Sequence, residues 1–271
     1  MFHLFDQQFH EARTIFNALG KNFKSKKALD LKEKLIFLNI FFHLIGKVHF
    51  NKEESLKFKP FYPFNNLCKA LKRIQHYKLS VSAYAEEKAR TNKNYLSYDK
   101  FLAALKEDLY KEVYEVIIST PTGIWEPLYS TAFYYSRDMT PLMIDTSTTK
   151  LINEEIKFVG LKEWIHLDSQ SINEIIDGLR VLTLVENIRI AVGLNPVFTE
   201  FIHGEMRKLN LVLNNWYKNH LLAQHLNFFF SEKEQVSDKY LLLAKNIKSV
   251  KLDLTEEVNN LSINLFSKVA V

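Results

Sequence analysis

The spacing of the apolar residues constrains this chain more than any other feature, because it follows the period of an α-helix. In residues 2–24 the apolar positions alternate between steps of four and three: Phe5, Phe9, Ala12, Phe16, Leu19 and Phe23. This spacing places all of these side chains on one face of a helix. We therefore predict a helix over residues 2–24 that buries its phenylalanines.

Helical spacing continues along most of the chain, and the low content of turn residues agrees with it. Only 7 glycines and 6 prolines occur among 271 residues, and valine and isoleucine fall into helical periods. Further helices are predicted over residues 28–46, from the Pro60–Pro63 region to Arg90, and over residues 98–118, 149–167, 170–192, 197–230 and 234–267. Gly46 is the expected stop of the first of these, and the helix at 197–230 is either continuous or broken. The predicted fold class is all-α.

An irregular stretch over residues 119–149, which contains Pro121, Gly123, Pro127 and Pro141, divides this helical pattern and is predicted to be a connector holding short helices. We predict two helical-bundle halves, each resembling a four-helix bundle, over residues 1–120 and 121–271. The halves are expected to be related by pseudo-symmetry and to form one domain. A hydrophobic content of 47% is enough to fill a sizeable core.

Charge is distributed unevenly between the two ends of the chain. Residues 1–90 hold 17 Lys and Arg against 8 Asp and Glu, a formal charge of +9, while residues 91–271 hold 19 against 23, a charge of −4. Such asymmetry favours an anionic partner at the basic end, through an attraction that salt screens. The alternative is a solvated lysine surface without a ligand.

A polar stripe runs along the first predicted helix, opposite its phenylalanines. Its members are His10, Arg13, Asn17, Lys21 and Lys24. Because they recur at spacings of three and four, these side chains can converge on one ligand. The equivalent stripe of the second half is nearly neutral and consists of Asn173, Asp177, Arg180, Thr183 and Asn187.

The third predicted helix carries cations on both of its faces. On its polar side lie Lys69, Lys72, Arg73 and His76. This cluster is either a solvated face or part of a ligand site. A helical projection also places Lys78 among the apolar residues of the opposite face. A lysine there must be paired, extend its ammonium group to solvent, or line a wet groove.

Other kinds of site find little support in the residues. Cys68 is the one cysteine, which excludes an internal disulfide and a cysteine-rich zinc site, and packing explains it best. His220 and His225 are five residues apart and match one helical face poorly, and neighbouring acids such as Glu154 and Glu155 resemble a solvated surface. No metal, cofactor or catalytic set is therefore predicted.

Nucleic acid and membrane are not expected as partners. The 21 phenylalanines follow the spacing of a helical core, which explains them better than base stacking. The chain has no uncharged apolar run of about 18 residues. Its opening, "MFHLFDQQFHEARTIF", lacks the basic and apolar regions of a secretory leader, so we expect a cytoplasmic protein.

Several segments together resemble the CHAD family, the conserved histidine α-helical domains. Each half of a CHAD domain opens with a helix bearing a His-x-x-Arg pattern followed by further basic residues. The stretch "FHEARTIFNALGKNF" is similar to the first such helix, with His10 and Arg13 at the histidine and arginine. Phe16 and Asn17 stand where the family has its next basic pair.

Three later segments continue the resemblance in the same order. "LKRIQHYKLSV" resembles the family's Leu-Gly-x-x-Arg-Asp segment, with Lys72 at the glycine and His76 at the aspartate. "INEIIDGLRVLTLVENI" resembles the second histidine helix, where Asn173 replaces the histidine and Arg180 keeps one basic position. "LNNWYKNHLLAQHL" is similar to the Leu-Gly-x-Trp-His-Asp segment, with Trp216 at the tryptophan.

The resemblance implies an all-helical fold that binds inorganic polyphosphate or a similar polyanion in a basic groove, without catalysis by the domain itself. Closely spaced phosphates then meet lysines and arginines held on rigid helices. The candidate polyanion-binding residues are His10, Arg13, Lys21, Lys24, Lys69, Lys72, Arg73, Lys78 and Arg180. The main alternative is a CHAD-like scaffold that has lost the ligand and binds a protein partner, and a helical enzyme is a third hypothesis.

Overall fold

The computed structural model describes residues 1–50, 52–160 and 167–269, and in this part of the chain it contains helices and no strand. The all-α prediction is therefore confirmed. The helices are α1 (Phe2–Lys21), α2 (Ser25–His49), α3 (Lys52–Lys57), α4 (Asn65–Thr91), α5 (Leu96–Ser119), α6 (Trp125–Ser136), α7 (Pro141–Gly160), α8 (Ser169–Ala191), α9 (Glu200–Ser231) and α10 (Asp238–Val269), with 3-10 turns at Tyr62–Phe64 and Thr122–Ile124. None of these helices combines the length and apolar character needed to cross a membrane.

Several helix ends differ from the predictions by a few residues, and two of them bear on the argument. α2 runs through the buried residue Gly46 and ends at His49, so the predicted stop at Gly46 was wrong. A glycine inside a helix costs about 1 kcal/mol relative to alanine, and the fold tolerates it here. α9 is continuous. The predicted helix at 149–167 begins earlier, at Pro141, and its predicted last turns over residues 161–166 lie outside the described residues.

The chain divides into two compact units. Unit 1 consists of Met1–Lys72, Glu112–Leu161 and Asp177–Thr199, and unit 2 consists of Arg73–Lys111, Lys162–Ile176 and Glu200–Val271. Both units draw on segments from each side of residue 120. The pseudo-symmetric division at that residue stays a prediction.

An aromatic core holds unit 1 together. α1 packs on α2 and α6, and α2 also packs on α7. The predicted face of α1 is buried from Phe5 to Leu19, which confirms its assignment to the core. The ring centroids of Phe5 and Phe41 lie 4.7 Å apart, and Trp125 meets the ring of Phe64 at 4.9 Å. Each such pair contributes about 0.5–1.5 kcal/mol beyond the area that it buries.

A buried charge network fastens α8 to the start of α7 in unit 1. The Arg189 guanidinium donates hydrogen bonds to Asp145 Oδ1 at 2.6 Å, Thr148 Oγ1 at 2.6 Å and the backbone oxygen of Asn195 at 3.1 Å. The fully buried Glu186 carboxylate lies 3.9 Å from Arg189 Nε and accepts the backbone N–H of Val197 at 2.9 Å. These bonds fix the C-terminal end of α8.

Unit 2 is built on the antiparallel pair of long helices α9 and α10. Trp216 is fully buried, and its Nε1 donates a hydrogen bond to Thr255 Oγ1 at 2.9 Å. The imidazole of His220 stacks on the indole of Trp216, with 4.8 Å between the ring centroids. His76 on α4 shares a hydrogen bond of 2.7 Å with the hydroxyl of Tyr217.

Candidate polyanion-binding site

The two α1 residues that match the CHAD pattern both have acidic neighbours. His10 Nε2 lies 3.2 Å from an Asp6 carboxylate oxygen one helical turn away. Arg13 donates to Glu126 on α6 at 2.8 Å. These acids supply negative charge where a ligand would otherwise supply it. The start of the predicted stripe therefore attracts an anion less than its composition suggests.

The end of the same stripe keeps its positive charge. Lys21 and Lys24 are exposed, and in the described part of the chain neither forms an ion pair. Lys26 and Lys27, in the first turn of α2, are likewise exposed and without an acidic partner there. We call these four lysines the α1–α2 corner. Sequence reasoning missed the last two because they fall outside the α1 stripe.

A second group of cations forms around Lys32, a residue that the sequence analysis did not select. Lys32 lies on α2 and is only 5% exposed. Its Nζ donates a hydrogen bond to the exposed Glu33 carboxylate at 2.9 Å. Burial lowers the pKa of Lys32, and the hydrogen bond to Glu33 opposes this effect. The positive charges of Arg180 and Lys72 lower the pKa slightly further, so the Lys32 ammonium group lies within electrostatic range of both cations.

The three cations come from three different helices of unit 1, and we call Lys32, Lys72 and Arg180 the cation cluster. Arg180 donates to Asp177 at 3.0 Å, so this pair is locally balanced. Lys72 is exposed and has no ion pair in the described part of the chain. With Glu33 beside Lys32, the cation cluster holds three positive charges against two acids. Like charges so close together repel one another, and a bound anion would relieve that repulsion.

Two further acids, Glu154 and Glu155, lie on α7 near Asp177, the partner of Arg180. Glu155 lies near Asp177, and burial raises the pKa of Glu155, with the negative charges of Glu154 and Asp177 adding to the rise. A raised pKa means that this carboxyl group ionises less readily. Glu154 itself is held by Lys47 at 2.5 Å. Glu154 is therefore paired with a cation of its own, and Glu155 ionises less readily than a free carboxyl group.

The remaining predicted residues lie apart along α4. Lys69 is exposed, belongs to unit 1 and forms no ion pair in the described residues. Arg73 and Lys78 belong to unit 2. Arg73 is exposed, and Lys78 is half-buried. Of the predicted set, Lys72 and Arg180 therefore belong to the cation cluster, to which the structure adds Lys32, and Lys21 and Lys24 belong to the α1–α2 corner.

Lys78 is half-buried because the buried face of α4 turns as the helix proceeds. Beyond Ile74 the buried residues are Tyr77, Ser80, Ala83, Tyr84 and Glu87. The predicted face continued through Val81 and Ala85, but Ala85 is exposed and Val81 is half-buried. Lys78 consequently lies at the edge of the buried face. At this edge the Lys78 side chain can extend its ammonium group to solvent, so no wet groove is required around it.

Cys68 precedes Lys72 by one turn on α4 and is half-buried. Burial raises the pKa of its thiol to about 11, and the nearby charge of Lys32 opposes this only in part. A thiol with such a pKa stays protonated and unreactive at neutral pH. The packing interpretation of Cys68 is consistent with this environment.

In the described part of the chain, no group of three His, Cys, Asp or Glu side chains is placed to hold a metal ion. A comparison of the chain with protein-family models, with curated proteins and with solved structures finds no match.

Proposed function

We propose that the protein is a non-enzymatic helical module that binds inorganic polyphosphate or a similar polyanion through the cations of unit 1. The observation that supports this most is the convergence of Lys32, Lys72 and Arg180 from three helices. Burial of the Lys32 side chain and its bond to Glu33 hold one cation in place before a ligand arrives. Such preorganisation lowers the entropic cost of binding.

A polymer fits this arrangement better than a single phosphate. Lys26 and Lys27 precede Lys32 by five or six residues, which is about 8 Å along the axis of α2. A chain of phosphates can neutralise the cation cluster and the α1–α2 corner at the same time. Each lysine that contacts a phosphate releases condensed counterions, so the affinity must fall as salt rises.

The decisive experiment is a titration of the full chain with long-chain polyphosphate at two salt concentrations. The test variant is Lys72→Glu with Arg180→Glu, and the matched control is Lys93→Glu with Lys100→Glu, two exposed lysines of unit 2. Both variants change the net charge equally. We expect the test variant to bind about tenfold more weakly, a loss of about 1.4 kcal/mol, and the control to stay within about twofold of the wild type.

Two results would count against the proposal. Absence of binding at low salt would remove the ligand altogether. An equal loss in the test and control variants would show that only total charge matters. If the protein does not bind polyphosphate at low salt, a scaffold that binds a protein partner becomes the better hypothesis.

Arg13→Glu offers an internal comparison on α1. Because Glu126 already accepts a hydrogen bond from Arg13, we expect this substitution to weaken binding less than Lys24→Glu does. The same titration measures both variants. A larger effect at Arg13 would indicate that the ligand binds along the CHAD-like histidine helix and not at the α1–α2 corner.

A further inference from the structure

A cavity of about 570 Å³ in unit 1 takes no part in the proposed polyanion site. It opens between α2 and the segment that leads into α4. The α2 residues along its wall are Asn39, Phe42, His43, Gly46 and Lys47. Its volume lies within the range of roughly 300–1,000 Å³ that is typical of small-molecule sites.

Gly46 is the first sign that this space is functional. It is buried and lies inside α2, where glycine is the least favourable residue after proline. Gly46 follows Phe42 by four residues and His43 by three, so all three share one face of the helix. Because Gly46 lines the cavity, a larger side chain there would reduce the volume of the cavity. The cavity therefore explains a glycine that the helix itself disfavours.

Aromatic rings form the apolar part of the lining. Phe42 and Phe61 are buried, Phe58 is half-buried, and Tyr62 is exposed at 69%. The ring centroids of Phe42 and Phe58 lie 6.3 Å apart, and their planes are tilted by 55°. The exposed ring of Tyr62 can stack favourably with a planar ligand.

Polar groups without partners complete the lining. In the described part of the chain, the side-chain amides of Asn39 and Asn65 form no hydrogen bond. Both amides offer donors and an acceptor to a ligand. His43 has an exposed edge, but the protein around the rest of its ring lowers its pKa, and the charge of Lys47 adds to this. The neutral imidazole therefore offers one donor and one acceptor.

One cation in the lining is placed to bind the anionic group of a ligand. Lys59 lines the cavity, is exposed, and has no acidic partner among the described residues. Lys47 also lines it but is already bound to Glu154. One free ammonium group beside a lining of rings and amides matches a ligand with one anionic group and a flat polar ring.

We infer that this cavity binds a planar heteroaromatic anion of the nucleoside monophosphate class. The base lies against the exposed ring of Tyr62, and the amides of Asn39 and Asn65 contact its polar edge. The phosphate meets Lys59. This site is independent of the proposed polyanion function, because none of the cation-cluster residues lines the cavity.

Calorimetric titration of the full chain with the four common nucleoside monophosphates tests the inference. The cavity-filling variant is Gly46→Leu, and the matched control is Gly20→Leu, at a helical glycine with open space around it. We expect at least one nucleotide to bind the wild type and the control, and Gly46→Leu to weaken that binding at least tenfold. Adenosine without its phosphate should bind more weakly than the corresponding nucleotide.

A second variant keeps the test valid if Gly46→Leu does not fold. Asn65→Ala changes an exposed residue and removes only a hydrogen-bonding group, so it should fold and weaken the nucleotide severalfold. Three results would overturn the inference: no binding of any nucleotide at millimolar concentration, unchanged binding by the folded variants, or inorganic phosphate binding as tightly as the nucleotide. Unchanged polyphosphate binding by Asn65→Ala is expected in every case.

Discussion

Replacement of Arg189 by methionine should be among the most damaging single changes in unit 1. The Arg189 side chain is 6% exposed and the Glu186 side chain is 1% exposed. Methionine fills much of the same volume but donates no hydrogen bond. The variant therefore leaves the Glu186 carboxylate buried without its cationic neighbour. Removal of one member of a buried ion pair costs about 3–5 kcal/mol.

The lost hydrogen bonds give a similar magnitude independently. Arg189 donates to Asp145, Thr148, Thr149 and Asn195. Each bond contributes about 0.5–1.5 kcal/mol, or more where a charged partner is involved, so a total loss of several kcal/mol follows. Urea denaturation followed by circular dichroism measures the free energy of unfolding.

An exposed arginine provides the matched control for this prediction. Arg207 donates to Glu200 at 2.6 Å, but both side chains are exposed, at 65% and 81%. Arg207→Met should therefore cost less than about 1 kcal/mol. If Arg189→Met and Arg207→Met destabilised the protein equally, the claim that the α7–α8 network is buried and stabilising would be refuted.

Three further predictions concern packing and protonation. Cys68, whose thiol pKa is raised by burial to about 11, should react with an aromatic disulfide reagent far more slowly in the native protein than in urea; equal rates would contradict this. A Cβ at Gly178 would lie 2.9 Å from a methyl group of Val159, so Gly178→Ala should cost about 1–3 kcal/mol in a thermal unfolding assay, while Gly20→Ala should not destabilise. Burial lowers the pKa of His220 in the folded state, so the unfolded state binds a proton more tightly and the free energy of unfolding should fall as the pH drops below about 6.5. The variant His220→Phe should reduce this pH dependence in denaturant titrations. An unchanged dependence of the free energy of unfolding on pH would contradict the prediction.

Helical spacing was sufficient to predict the fold class and the core of α1. The residues from Phe5 to Leu19 are buried where the period of the helix places them. The turning face of α4 was not predictable in this way, because it includes Ser80 and Glu87. A buried polar residue needs a hydrogen-bonding partner, which can lie far away in the sequence. Glu87, for example, accepts a hydrogen bond of 3.0 Å from the side-chain amide of Asn246. Hydropathy carries no information about such partners.

The candidate site was predictable only in part for the same reason. A helical stripe identifies cations that share a face, but it does not reveal acids that neutralise them from a distance in sequence. Glu126 lies 113 residues beyond Arg13 and still pairs with it. Lys32 was missed although it lies beside Leu31 and one turn before Leu35, two fully buried residues. Lys78 was selected because it lies among apolar residues in a helical projection, and the same criterion would have selected Lys32.

The most direct test of the central claim is a map of lysine reactivity with and without polyphosphate. Trace acetylation of the native chain, read by mass spectrometry, reports the accessibility of each lysine separately. The account predicts that polyphosphate protects Lys72 and Lys24 and leaves Lys93 and Lys100 unchanged. Equal protection of all four lysines, or none at Lys72, would contradict the claim that cations of unit 1 form the binding site.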